Sequence, residues 1–453
     1  MSNFRPINRD TGFLLPPSVD EWLPQRHLAR FVVEVIDGLD LSELVKAYRG
    51  SGSASYHPAM LLGLMVYGYA TKTFSSRAIE RGTHDSVAFR FIAGNEHPDH
   101  DTIATFRKRF LPQIQALFVE VLKLARAMGM LKLGTVALDG TKVHANASRH
   151  SALSYGHAKK IEKQLKKEVQ QLLRLAEAAD GVNAPDGMSI PEELERRELR
   201  LAAIAAAKAK IEARANERLE GEKAEHQSKL AARAEYRKRT GKKRPGPPPA
   251  PPTGGVKDQD QVNLTDEDSR IMKVASGGFD QCYNAQAVVA AGSMLIVATD
   301  VTQAANDKRQ LLPMIEKVQE LPKELGRAKR ILADSGYFSE SNVEQCTAAK
   351  IEPLIAPGRT LHHLSWKQRF APAPKSPPAS ASPLQKMAHR LKTPRGRKLY
   401  ALRKQTPEPV FGIIKSVMGY RQCLLRGLKS VKGEWNLVAL SWNIKRMFAL
   451  QYG

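Results

Sequence analysis

Cysteine is scarce in this chain. Cys282, Cys346 and Cys423 are the only three in 453 residues, too few and too scattered for a disulfide framework or a thiolate zinc site. Long apolar runs are missing too. No stretch approaches the roughly 20 residues of a membrane span, and the opening MSNFRPINRD has no apolar signal core. The expectation is a soluble, intracellular protein without a membrane partner. Acid is nearly absent from one region: residues 353–433 hold 17 basic side chains and a single carboxylate, Glu408.

Against these absences stands a large positive charge. The chain has 70 Lys and Arg against 46 Asp and Glu, a net +24, and its 42% hydrophobic content excludes disorder throughout. The excess is uneven. Residues 1–115 carry 13 basic and 12 acidic side chains and 251–352 carry 11 and 15, so 353–433 alone supplies +16. Apolar segments such as PVFGIIKSVMGY interrupt that basic run, which therefore belongs on a folded surface. A surface of this kind suits nucleic acid, whose neutralised phosphates release counterions.

The first 115 residues read as short helices near 26–37, 40–48, 57–71 and 75–82. A longer one follows, with Ile103, Phe106, Phe110, Ile114, Phe118 and Leu122 at helical spacing and Asp101 or Thr102 as its cap. A helix-turn-helix-like module and a plain helical bundle both fit. TVALDGTKVHA then reads as a short strand ending in Asp-Gly. Residues 156–244 form a polar helical hairpin, with arms near 157–179 and 191–239 separated by DGVNAPDGMSIP, and closing on a basic Pro/Gly linker expected not to fold on its own. YNAQAVV and MLIVATDV make a β-hairpin, followed by a helix over 307–320, the strand RILADSGY, a helix from Ser339 and a strand at IEPLIAP. Residues 371–398 read as a basic low-complexity connection. A helix from about 407, a strand-like YRQCLLRG and a last helix with Trp435 and Trp442 as core residues complete a mixed α/β core.

Three carboxylates stand out. Asp139 and Asp334 each follow a strand, in LDGTKV and LADSGYF, where a turn-forming Asx role is the plain alternative. Glu408 sits between two prolines at a helix start, where it also complements the helix dipole. Gathered on a basic surface, three carboxylates would repel unless hard cations neutralised them, which suits Mg²⁺. Asp300 and Asp307 compete with Asp334 as the second ligand, although Asp307 is better placed to cap the helix that follows it. His97, Asp99, His100 and Asp101 read as a turn and cap rather than a metal site, and His144, Asn146 and His150 as an ordinary loop.

The set LDGTKV, LADSGYF and EPVFGIIK resembles the DDE transposases of bacterial insertion sequences. The resemblance covers most of the chain apart from the helical hairpin and 371–398. It implies an α/β RNase H-like core over 131–155 and 256–453, a helical DNA-binding and assembly domain over 1–130, and an inserted hairpin with its linker over 156–255. It further implies the triad Asp139, Asp334 and Glu408 binding Mg²⁺ or Mn²⁺, two ions in all. It places Tyr400, Arg403 and Lys415 in a signature around the glutamate, with one residue more between Arg403 and Glu408 than the common pattern has. Lys415, Arg403 and Tyr400, then Arg421 and Arg426, would contact DNA. The partners implied are double-stranded element ends, target DNA and a second copy of the chain, in a cytoplasmic, nucleoid-associated setting. A DNA-binding module without chemistry and an ordinary metal nuclease are the alternatives.

Overall fold

The computed structural model describes residues 18–48, 55–179, 190–243, 245–275, 277–358, 366, 375–378 and 380–453. The chain divides into two compact units. One comprises Met1–Ala145 with Cys282–Gly453, the other Asn146–Gln281.

In the first unit the N-terminal part is helical, as expected: α1 (Leu28–Asp37), α2 (Ser42–Lys46), α3 (Pro58–Ala70), α4 (Ser76–Asp85), α5 (Val87–Ile92) and α6 (His100–Ala127). α3 is apolar almost all round and is buried along nearly its whole length, the pattern of a helix enclosed by others. α6 starts two or three residues earlier than expected. Its cap is Asp99, whose carboxylate accepts the Thr102 N–H at 2.8 Å.

The sheet of this unit contains β1 (Thr135–His144), β5 (Phe279–Ala290), β6 (Ile296–Thr302), β7 (Arg330–Ala333) and β8 (Glu352–Ile355), in the order β6-β5-β1-β7-β8. β5 pairs antiparallel with β1 and β6, while β7 runs parallel to both β1 and β8. This is a mixed sheet, flanked by helices α9 (Leu311–Gln319), α10 (Glu340–Ala348), α11 (Pro383–Lys392), α12 (Pro394–Ala401), α13 (Pro407–Ser416) and α14 (Leu428–Tyr452). β1 differs from the expectation of a short run ending at Asp-Gly: it continues five residues past Asp139, because β5 supplies a partner as far as His144. YRQCLLRG forms no full strand; Gln422 makes one isolated bridge to His144.

The basic connection also departs from the sequence reading. Residues 371–374 and 379 lie outside the described residues, but 383–401 fold as α11 and α12. Ser382 caps the first in a capping box with Gln385, Thr393 caps the second, and each has proline in its first turn. These SPLQ and TPRG starts are the local signal for the two helices.

α14 holds the helical segment to the sheet. It packs on α6, α3, α1 and β6. The Asn443 side chain accepts the Ile296 N–H and donates to the Ile296 carbonyl, both at 2.8 Å. Trp435 and Trp442 are buried, as expected of core residues, and each donates its indole N–H to a backbone carbonyl.

The second unit holds β2 (Ala152–Ser154), β3 (Gln261–Asn263), β4 (Arg270–Lys273) and the long helices α7 (Tyr155–Ala179) and α8 (Ile190–Thr240). Leu165 packs with Ile204, Ala207 and Ile211 in its core; the link at 180–189 lies outside the described residues. The proline-rich linker does not hang free. Arg233 donates to the carbonyls of Gly246 and Pro247, and His226 meets the Pro249 carbonyl at 3.1 Å. A polyproline run has no internal hydrogen bonds to give, and here α8 side chains supply the donors to its carbonyls.

Candidate active site

Asp139 and Asp334 are brought side by side by the sheet register. Ala137 of β1 pairs with Leu332 of the parallel β7, so the residues two further along each strand stand at the same level. Asp139 therefore lies within a strand, and not at a strand end as the sequence suggested, while Asp334 directly follows β7. Its turn-forming role is also real: its carboxylate accepts the Gly336 N–H at 2.8 Å. Asp139 accepts the Gly140 N–H at 2.9 Å. Burial pushes the Asp139 carboxyl up to about 7, the Asp334 and Asp307 carboxylates adding to the rise, while the Gly140 N–H and Arg403 oppose it.

Glu408 enters from the first turn of α13. Its carboxylate is half exposed, and one oxygen lies 3.2 Å from a terminal nitrogen of Arg403. The other terminal nitrogen of Arg403 lies 4.0 Å from Asp139. This guanidinium thus stands between two of the three carboxylates, and its Nε is buried without a hydrogen-bond partner. Arg403 is set in place by its neighbours on α12 and just beyond. Leu399, Tyr400 and Leu402 pack on Ala137, Leu332 and Leu354 of the sheet, and the Tyr400 hydroxyl donates to the Ala333 carbonyl, one residue before Asp334, at 3.3 Å. Burial raises the Tyr400 hydroxyl above its ordinary range.

Lys415 lies two turns along α13 from Glu408. Its ammonium donates to the Lys142 carbonyl of β1 at 2.7 Å, and burial draws its pKa down. Arg421 is exposed and donates to the Lys415 carbonyl at 3.0 Å; Arg426 is exposed in the loop before α14. Lys386, Lys392, Arg395, Lys398 and Lys404 are exposed on α11, α12 and the turn after it, so this part of the basic segment is a folded surface.

The rival acids go different ways. Asp300 is engaged by Lys432 at 2.8 Å and Lys317 at 3.4 Å. Asp307 does not cap α9, whose N-cap is Gln310. Instead it accepts the side-chain amides of Asn284 at 2.7 Å and Gln286 at 2.8 Å. Gln286 in turn accepts the hydroxyl of buried Tyr337, in the turn after Asp334. Asn284, Gln286 and Tyr337 were not singled out from the sequence. A signal was present: Asn284 and Gln286 are two polar residues on one face of the apolar run YNAQAVV, and buried polar groups need partners. Elsewhere, His97 meets Thr83, His100 pairs with Glu80, and Asp99 is a cap. Asn146 and His150 belong to the second unit, while His144 ends β1.

The donor set is all oxygen, and burial, with the Asp334 and Asp307 carboxylates nearby, disfavours the charged form of Asp139. Both facts fit a hard divalent cation at Asp139 and Asp334. A ready-made cluster is not in place: among the described residues, no three His, Cys, Asp or Glu side chains gather closely enough to hold one ion. Glu408 turns to Arg403 instead. Among the described residues, no helix is long and apolar enough to cross a membrane.

Comparison with known proteins places transposase segments at both ends of this architecture. Residues 17–109, the helical segment, match a transposase domain (DUF772), and residues 375–448, from before α11 into α14, match a transposase DDE domain. No curated protein and no solved structure gives a significant match. The two domain matches support an insertion-sequence DDE transposase.

Proposed function

We propose, from the premise that the chain is a DDE transposase of an insertion sequence, that it binds the terminal inverted repeats of its own element, cuts there, and joins the freed ends to target DNA. The observation that carries this reading is the register that sets Asp139 beside Asp334, with Glu408 linked to the same place through Arg403. On this reading the sheet and its helices are an RNase H-like core. Residues 1–130 serve DNA binding and assembly, and 156–255 are an insertion.

Asp139, Asp334 and Glu408 would hold Mg²⁺ or Mn²⁺, two ions in all, with Glu408 leaving Arg403 to do so. Such ions, when bound, activate an attacking oxygen and stabilise the leaving one. Arg403, so released, and Lys415 contact phosphates beside the scissile bond, with Arg421 and Arg426 further out. Tyr400 fixes the end of β7. The exposed lysines and arginines of α11 and α12 grip the duplex and set its register without reading its sequence. Bringing two element ends together calls for a dimer or larger assembly on DNA.

The test is incubation of the purified protein with its labelled terminal DNA and Mg²⁺ or Mn²⁺. Cutting at the element end and transfer of the 3′-hydroxyl strand to a second duplex are expected, both lost in Asp139→Asn and Glu408→Gln. Binding without any end-specific cutting would reduce the protein to a DNA-binding module. Cutting without joining would make it a nuclease.

A further inference from the structure

Asp307 is an acid near the site that the three-carboxylate reading does not use. It sits in the turn between β6 and α9, and one oxygen, Oδ1, takes both amide donors, from Asn284 and from Gln286. Those two amides are also joined to each other, the Gln286 NH₂ donating to the Asn284 carbonyl oxygen at 3.0 Å. A carboxylate can only accept, so it forces the NH₂ groups of both amides toward itself. The Gln286 carbonyl oxygen must then point away, and there it accepts the Tyr337 hydroxyl. Tyr337 is the last residue of the turn Ser335–Tyr337 that Asp334 caps. Asn342 of α10 closes the circuit from the other side, donating to the carbonyls of Tyr337 at 2.6 Å and Lys308 at 2.8 Å. Asn284, Gln286 and Tyr337 are fully buried.

Gly140 shows how tightly this group is set against β1. It pairs directly with Gln286, and a Cβ on it would overlap the Gln286 Nε2 and stand 2.7 Å from the Asp307 Oδ1. The Asp307 carboxylate therefore rests on the backbone of the residue next to Asp139.

We propose that Asp307 is a positioning residue for the reaction: through the Asn284 and Gln286 amides and the Tyr337 hydroxyl it fixes the turn that carries Asp334, and so the spacing of Asp334 from Asp139. This rests on the transposase reading above. It gives Asp307 no contact with DNA and no place among the cation's ligands. Hydrogen-bonded partners one step removed from the ligands of a metal site change affinity or activity by about 10- to 100-fold when lost.

Three variants of the full-length protein test it: Asp307→Ala, Asp307→Asn and Tyr337→Phe. Two readouts are used, the rate of end cutting and the binding of Mn²⁺ without DNA, followed by the loss of the free-ion electron paramagnetic resonance signal. Asp307→Ala should weaken Mn²⁺ binding and slow cutting by about 10- to 100-fold. Asp307→Asn keeps an acceptor oxygen for the two amides and should recover most of both. Tyr337→Phe breaks the far end of the same chain, so combining it with Asp307→Ala should cost little beyond either alone. The proposal is overturned if Asp307→Ala matches the wild type, if Asp307→Asn is as damaged as Asp307→Ala, or if the two ends of the chain act additively. Should Asp307→Ala not fold, Tyr337→Phe and Asp307→Asn carry the same comparison. A wild-type protein that binds Mn²⁺ but never cuts would sink the transposase reading while leaving the Mn²⁺ comparison decisive for Asp307.

Discussion

The guanidinium of Arg403 stands between Glu408, 3.2 Å away, and Asp139, 4.0 Å away. One cation therefore partly neutralises two acids that the proposed chemistry needs for metal ions. The pair is short but one-sided: Arg403 is largely enclosed, whereas Glu408 is half exposed and screened by water, so the contact holds little stability of its own.

Replacing Arg403 by Gln should accordingly leave the melting temperature within a few degrees of the wild type. Glu408 should be freed and end cutting reduced, because the guanidinium that would grip a phosphate is gone. If Arg403 does meet one phosphate, the dependence of DNA affinity on salt should fall by about one ion. Arg403→Lys should not rescue it fully, since an ammonium cannot offer a phosphate the paired donors of the planar fork. Anisotropy titrations across a salt series check this; an unchanged slope together with unchanged cutting would remove Arg403 from the site.

Asp139 gives a pH dependence of definite sign. Its carboxyl is raised from 3.8 to about 7 in the folded chain. Below about pH 4 both folded and unfolded forms are protonated and the residue contributes nothing. Between about 4 and 7 the unfolded chain gives up its proton first, so stability falls as pH rises and the loss levels off above about 7. The full penalty is at most on the order of 4 kcal/mol. Asp139→Asn should remove this slope. Mn²⁺ or Mg²⁺ should raise the melting temperature at pH 8 and have little effect at pH 5, where the acid holds its proton. Thermal melts across pH, with and without the ion, measure both.

Gly140→Ala tests the close approach on β1. The added methyl would meet the Gln286 amide and the Asp307 carboxylate, and in a packed site such overfilling costs about 1–3 kcal/mol. Denaturant unfolding should show that loss, together with weakened cutting, because the methyl displaces the group that holds the Asp334 turn. A variant as stable and active as the wild type would mean the site is looser than described.

Glu434 joins the helical segment to the sheet unit's last helix. It is completely buried and accepts the N–H groups of Leu424 and Leu425 and the Tyr69 hydroxyl. Burial raises its pKa, and the two backbone donors and Arg107 oppose the rise. Glu434→Leu would strand several buried donors, each costing about 1–3 kcal/mol. A stability loss of several kcal/mol is expected, against little for substitutions on the exposed face of α11. Calorimetry distinguishes the two.

Much of this organisation can be read from residue order alone. Periodic apolar residues marked α6, and the apolar runs flanking Ala-Ala-Gly-Ser marked β5 and β6. The lone acid in 353–433 marked Glu408. The sequence reading failed where a partner distant in the chain decides. β1 runs through Asp-Gly because β5 pairs with it to the end. The proline linker, expected not to fold on its own, leans on α8, whose Arg233 donates to its carbonyls. Within the basic connection, the local caps of SPLQ and TPRG start two helices.

What the sequence determined by itself is the scarcity it began with: too few cysteines for a staple, no apolar run for a membrane, and almost no acid amid the basic residues of 353–433. Together with three motif-borne carboxylates, that was enough to suggest DNA and a metal-dependent reaction. Only the tertiary structure decided what each acid does. Spacing along a chain cannot tell a cap from a hydrogen-bond anchor, or a free carboxylate from one held by arginine. Asp307 looked like a cap until two amides of β5 were seen to point at it, and Glu408 looked solitary until Arg403 was seen beside it. Those outcomes depend on which side chains the sheet register and the packing of α12 bring within about 3 Å, the range in which hydrogen bonds form.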